Sequence, residues 1–345
     1  MNRKAVIWGS VGLGLLLAAI VASLSLGSSQ LPVSESWRIL AHQVPWLGNY
    51  IAAEGSEAAE QIVLQVRLPR VLLALLVGAC LSLAGAGFQG VLRNPLADPY
   101  TLGVASGAAV GASLMILFGL HAFLFGQWSI PLVAFATGLA SLAIVIRLAN
   151  VNGRFHLETL ILSGVVVSSF LGAIVSFMVA MSDKVINEIV FWLMGSLAYR
   201  GWPFVGALAP YLAFGAIVLI ACGRTLNIFA LGERQAAHLG IRVQRTRLLV
   251  LVISTLMTAA SVSIVGTIGF VGLVVPHLVR LAVGPDYRLL LPLAALYGGI
   301  YVLAADTIAR TALGSAEIPL GVVTACLGAP FFVYLLRKNK KTAGG

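Results

Sequence analysis

Side chains that could do covalent or metal chemistry are scarce here, and their spacing excludes more than it suggests. The five histidines, His42, His121, His156, His238 and His277, are scattered along the chain. Cys80, Cys222 and Cys326 stand singly, without the paired spacing of a zinc site or a disulfide framework. The sequence has no GxxxxGKS/T phosphate loop, no HExxH pair and no GxSxG elbow. Catalysis within a membrane needs ionisable groups facing one another at depth. Nearly every charge in this chain falls at the end of an apolar run or in a loop. The expectation is no catalytic residue, no metal ligand and no cofactor bound by this chain.

The polar groups that remain suggest recognition and gating. Arg67 and Arg70, in QVRLPRVLL, are three apart, on one helical face, with Pro69 in the first turn. Asp306 and Arg310 lie four apart and can pair on one helix face. In the loop from Leu226 to Arg247, Gly232 and Gly240 bracket ERQAAHL, a short helix whose face is Ala236, Ala237 and Leu239. Such an apolar face is unusual in a basic loop, and it reads as a knob for a partner. A further stretch, RNPLADPYTLGVASGAAVG (93–111), packs Asn94-Pro95 and Asp98-Pro99 into six residues and restarts on small side chains. Proline fixes φ and disfavours helix in the residue before it, so this is a stiff turn.

The elements that must carry these residues are membrane helices. The 345 residues are 59% hydrophobic and 10% charged, against roughly 25% charged for soluble chains. Apolar runs of about 20 residues can span a bilayer. Ten are expected, at 5–26, 66–91, 100–120, 128–149, 157–181, 203–222, 248–266, 268–283, 289–312 and 318–336, giving an all-α polytopic protein with one transmembrane domain over 1–345. Gly266, Gly269 and Gly272 divide the 248–283 region, and the break is expected to be a tight outer turn. The segment 184–198 predicts a short helix at the outer face. The first run resembles a signal peptide but is long enough to span, and a retained helix is expected. With the N-terminus inside, 16 of the 22 Lys and Arg fall on the cytoplasmic side, the bias expected of a multi-pass chain in a cytoplasmic (inner) membrane with both termini inside. That topology accounts for the net charge of +10 without nucleic acid; lipid is the expected surround. Gly103, Gly107 and Gly111 recur every four residues, which predicts close helix packing.

Three stretches carry a resemblance: RLPRVLLALLVGACLSLAGAGFQGVLRNPLADPYTLGVASGA (67–108), LGERQAAHLGI (231–241), and GTIGFVGLVVPHLVRL (266–281) with ADTIARTALGSAEIPLGVVTACLGAPFFVYLL (305–336). In this order they resemble the permease subunit of binding-protein-dependent ABC importers for iron–siderophore complexes, haem and cobalamin, in bacterial inner membranes. The resemblance implies ten-helix subunits in a homodimer, or a dimer with a close paralogue. It implies a cytoplasmic ABC ATPase dimer, holding ATP and Mg, docked on Gly232, Glu233, Ala236, Ala237, Leu239 and Gly240. It implies that Arg67, Arg70 and Arg310 meet an extracytoplasmic substrate-binding protein, and that Asn94, Pro95 and Leu96, with His156 and Leu157, close the cytoplasmic end of a path. Ser163, Gly164, Val167, Ser168 and Gly172 are the candidates for lining that path. An iron–siderophore is the first choice of cargo, with cobalamin and haem next; a secondary transporter or channel acting alone is the rival reading.

Overall fold

The structure, a computed structural model, describes residues 3–27, 31–44, 46, 56–120, 125–151, 154, 155, 157–314 and 316–343. In chain order its helices are α1 (Arg3–Ser25), α2 (Val33–His42), α3 (Glu57–Gln61), α4 (Leu68–Leu92), α5 (Val104–Leu117), α6 (Ser129–Ala149), α7 (Leu157–Ala180), α8 (Ile186–Met194), α9 (Trp202–Ala221), α10 (Gly223–Phe229), α11 (Glu233–His238), α12 (Val243–Val265), α13 (Val271–Val283), α14 (Tyr287–Thr311) and α15 (Leu320–Ala343). A π-helical stretch, Ile62–Arg67, joins α3 and α4 into one rod. A two-residue ladder pairs Asn150–Val151 with Arg154–Phe155. Seven helices, α1, the Glu57–Leu92 rod, α6, α7, α9, α12 and α14, are long and apolar enough to cross a membrane among the described residues. Three shorter apolar helices, α5, α13 and the Leu320–Val333 part of α15, stand where the other three spans are expected.

Apolar character all round a helix means either burial or lipid, and this chain has both cases. From Val77 to Leu92 every side of α4 is buried. Its small residues make that possible: a Cβ on Gly78 would strike the backbone of Gly298, and one on Gly85 the backbone of Gly272. Backbones this close give the dispersion contacts that hold helices together where lipid removes the hydrophobic drive. In contrast, α1 buries only Gly12, Ser23 and Leu24. Leu13 and Leu17 are more than half exposed, so α1 lies at the rim of the bundle. The Gly103 series packs as its spacing predicts, with a Cβ on Gly107 falling 2.7 Å from the Thr137 carbonyl of α6.

Two boundaries differ from expectation. α5 begins at Val104 rather than near 100, because Asp98 caps a 3-10 turn, Pro99–Leu102, and Gly103 takes a left-handed conformation at φ 81°. The break between α12 and α13 is wider than a tight turn and is packed against other helix ends. Residues 266–270 are unwound, with Gly266 at φ 77° and Phe270 at φ 68°, and Ile268 is 1% exposed. Glycines mark where a helix stops, but not how deep the stop lies.

Buried backbone must find partners, and here four helix ends supply them to one another. Ser196 N–H donates to Val265 O at 2.8 Å, and Leu320 N–H to Gly195 O at 2.9 Å. The Thr267 hydroxyl donates to Leu193 O. The Tyr100 hydroxyl donates to Ile268 O at 3.0 Å and accepts from Ile268 N–H at 3.2 Å. Thus the ends of α8 and α12 and the starts of α13 and α15 form one polar knot inside the bundle.

Candidate functional site

The sequence places Arg67, Arg70 and Arg310 at the outer ends of two helices, and the structure brings them together at one mouth. They are not exposed: Arg67 is 4%, Arg70 9% and Arg310 4% accessible. Arg70 is held by two carboxylates. Its Nε and Nη2 reach Asp306 at 3.1 and 2.9 Å, and its Nη1 and Nη2 reach Glu317 at 2.9 and 3.0 Å. Arg310 pairs with Asp306 at 3.5 Å, as its i, i+4 spacing predicts.

Arg310 also donates to the carbonyl and hydroxyl of Ser23, and Arg67 Nη1 donates to Leu24 O at 2.9 Å and to Ser36 Oγ at 3.2 Å. The last carbonyls of a helix lack internal donors and carry its negative dipole end. Arg67 and Arg310 therefore cap the C-terminus of α1. Docking, the role expected of all three, must share these side chains with holding the bundle. Above them a cavity of about 570 Å³ is lined by Arg67, Arg70, Arg200, Arg310 and Glu317. Arg200 stacks on the Phe204 ring at 5.1 Å.

At the other end, α10 and α11 form a platform. Asn227 donates to Asp286 at 2.7 Å and accepts from Tyr287 N–H at 2.8 Å, which ties α10 to the start of α14. The Asn227 amide, with the Arg288 N–H at 2.9 Å, holds the Asp286 carboxyl below its usual range. Gly232 (φ 114°) and Gly240 (φ 81°) bracket α11, and Gly240 and Ile241 N–H close its end on the Ala237 and Ala236 carbonyls. Leu239 is 62% exposed and Ala237 is exposed, but Ala236 is fully buried. Ala236 is thus corrected from partner surface to the packing side of α11, because a six-residue helix must spend one face on its own platform. Glu233 accepts from Arg247 of α12 and, at 3.4 Å, from Arg93.

That second pair joins α11 to the turn next door. Asn94 Oδ1 accepts from Leu96 N–H at 2.9 Å, and residues 93–96 are exposed, with Leu96 at 46%. Leu157 packs against the core; His156 lies outside the described residues. Beyond the turn the chain dives inward to Asp98, whose Oδ1 accepts from Tyr100 N–H at 2.8 Å.

The candidates on α7 divide. Ser163, Gly164 and Val167 are buried and Ser168 half-buried, and a Cβ on Gly103 would meet Ser168 and Val167. They pack inside the subunit and do not line an open path. Gly172 meets nothing within 4 Å. The exposed stripe is Leu162, Val166, Ser169, Phe170, Ala173 and Phe177, which is the face free to line a path or meet another subunit. α7 is apolar on both sides, so periodicity could not choose between them. Sequence reasoning also passed over Glu317, Arg93, Arg247 and Tyr100. Asp98 and Tyr100 were legible only as part of a proline turn, since nothing local says that the turn re-enters the bundle.

Among the described residues no group of three His, Cys, Asp or Glu could hold a metal ion. What the arrangement offers is a cationic mouth at one end, a knot of helix ends within the bundle, and at the other end a platform with one apolar knob. The sequence model of the FecCD transport family matches residues 15–338. The chain is 43% identical over 332 residues to the uncharacterised ABC transporter permease protein YvrB of Bacillus subtilis, covering 96% of this chain and 93% of the relative. It is 40% identical over 370 residues to the cobalamin import system permease protein BtuC of Halobacterium salinarum, covering 99% of each. Among solved structures, one described as an inward-facing metal-chelate type ABC transporter superposes with a TM-score of 0.80 at 34% identity, over 96% of this chain and 99% of that one. With the family matched over nearly its whole length and both relatives aligned end to end, the chain belongs to the FecCD transport family.

Proposed function

We propose that this chain is the membrane permease of an ABC importer that carries a bulky metal chelate inward, powered by ATP hydrolysed on a separate subunit. The observation that carries the reading is the end-to-end likeness to ABC permeases, together with a sequence that has no phosphate loop. Two copies, or one copy and a close paralogue, enclose the path. The ATPase dimer, holding ATP and Mg, docks on Leu239 and Ala237 of the 231–241 loop. Arg93 and Arg247 tie that loop, through Glu233, to the Asn94-Pro95-Leu96 turn and to α12. Both termini lie in the cytoplasm.

The substrate-binding protein delivers cargo at the outer mouth. Four guanidiniums and one carboxylate line the cavity there, and that excess favours an acidic partner through steering and register. For cargo, breadth favours an iron–siderophore, whereas likeness to a cobalamin permease over 99% of both chains favours a corrinoid; haem ranks third. Uptake into proteoliposomes carrying this chain, its ATPase and its binding protein tests all of this. Accumulation should require ATP and all three proteins, and competition among unlabelled siderophore, cobalamin and haem names the cargo. Uptake by the chain alone, driven by an ion gradient, would establish the rival reading.

A further inference from the structure

A second concavity lies on the rim of the bundle, far from the arginine mouth. It has a volume of about 450 Å³ and runs between α1, α13 and α14, walled by Trp8, Val275, Val279, Ala282, Tyr297 and Tyr301. Both tyrosines could have made it polar, yet their hydroxyls are spent elsewhere: Tyr297 donates to Trp8 O at 2.9 Å, and Tyr301 to Thr324 O at 3.1 Å. Only ring faces and aliphatic carbon look into the space. Its cause is local. Gly12 lets α1 press on α14 at Leu296 and Tyr297, so α1 packs far more extensively on α14 than on α13. Since α1 exposes large apolar residues on its other sides, the groove opens to the lipid phase. Lys4 precedes Trp8 by one turn on the same face, with Arg3 beside it. Those cations stand at the end of α1 that lies beyond Trp8, where a headgroup phosphate would sit.

We propose that this groove holds one acyl chain of an anionic phospholipid, with its phosphate on Arg3 and Lys4, as a retained lipid that joins α1 to α13. The test is native mass spectrometry of the full chain, extracted from vesicles of equal phosphatidylglycerol and phosphatidylcholine. One phosphatidylglycerol should survive detergent washing per chain. Filling the groove with Ala282→Phe and with Ala304→Phe, a residue of its α14 wall, should abolish retention. Arg3→Gln with Lys4→Gln should keep a lipid but lower the preference for phosphatidylglycerol, by roughly fivefold for each charge removed. If the filled variant folds poorly, phosphatidylglycerol brominated along its tails gives a second readout: it should quench the wild type more than Trp8→Phe. Equal retention of both lipids by the wild type overturns the proposal, as does an unchanged lipid count in the filled variant. A disulfide between copies carrying Leu278→Cys would assign the groove to a second subunit and overturn it equally.

Discussion

Arg70 spends all three of its nitrogens on two carboxylates, and that geometry sets what its loss would do. Replacing it with methionine leaves Asp306, which is 1% exposed, with the longer 3.5 Å pair to Arg310 in place of the Arg70 fork. Breaking one side of a buried pair costs about 3–5 kcal/mol, so Arg70→Met should lower the thermal midpoint sharply in detergent. Arg70→Lys keeps the charge but not the fork and should fall between. Reversing Arg67 and Arg70 to Glu would therefore confound docking with folding. Arg200→Glu is the cleaner probe of docking: Arg200 has no carboxylate partner among the described residues, and the change should weaken capture of the binding protein most at low salt. Asp98 titrates on its own account. Burial pushes its carboxyl up from 3.8 to about 6, so the folded chain holds the proton more tightly than the unfolded one. That contribution to stability is full below pH 3.8 and is lost as the pH rises through about 6. Asp98→Asn, which still caps, should flatten that part of the stability profile measured by thermal unfolding between pH 4 and 7.

Among the helices, glycines separate sites of contact from sites of none. Gly107→Leu must drive a side chain into α6, and overpacking of this kind costs about 1–3 kcal/mol or more; Gly172→Leu meets open space. The first should reduce the yield of folded protein on size-exclusion chromatography and the second should not. Seven of the expected spans, the short helix before α9 and the glycine-bracketed α11 were legible in the sequence, because run length and glycine brackets are local signals. Depth is not local. The glycines mark the 266–270 break but say nothing of Tyr100, 168 residues away, which supplies hydrogen bonds to the buried Ile268 of the unwound stretch. Nor could the order of residues reveal that Ser163, Gly164 and Val167 face inward while Phe170 faces out, since both faces of α7 are equally apolar.

For the molecule as a whole, the arginine mouth and the α10–α11 platform lie at opposite ends of α4 and α14. Any signal between them must pass through helices packed backbone to backbone, at Gly78 with Gly298 and Gly85 with Gly272. A rod of that kind moves as a unit, so force on the platform is conveyed with little slack. Leu239→Asp puts a charge on the exposed knob without touching that rod. It should cost about 2 kcal/mol or more of ATPase affinity if Leu239 is an anchor, read as loss of co-purification with the bundle still folded. The caps on α1 have a consequence of another sort, in the order of synthesis. The guanidiniums that receive its terminal carbonyls come from residues 67 and 310, so the first helix enters the bilayer long before its clasp exists. Until the ribosome has delivered α14, a nascent chain has an unfinished mouth and a loosely held leading helix, and a quality-control protease that patrols the membrane would find its foothold there.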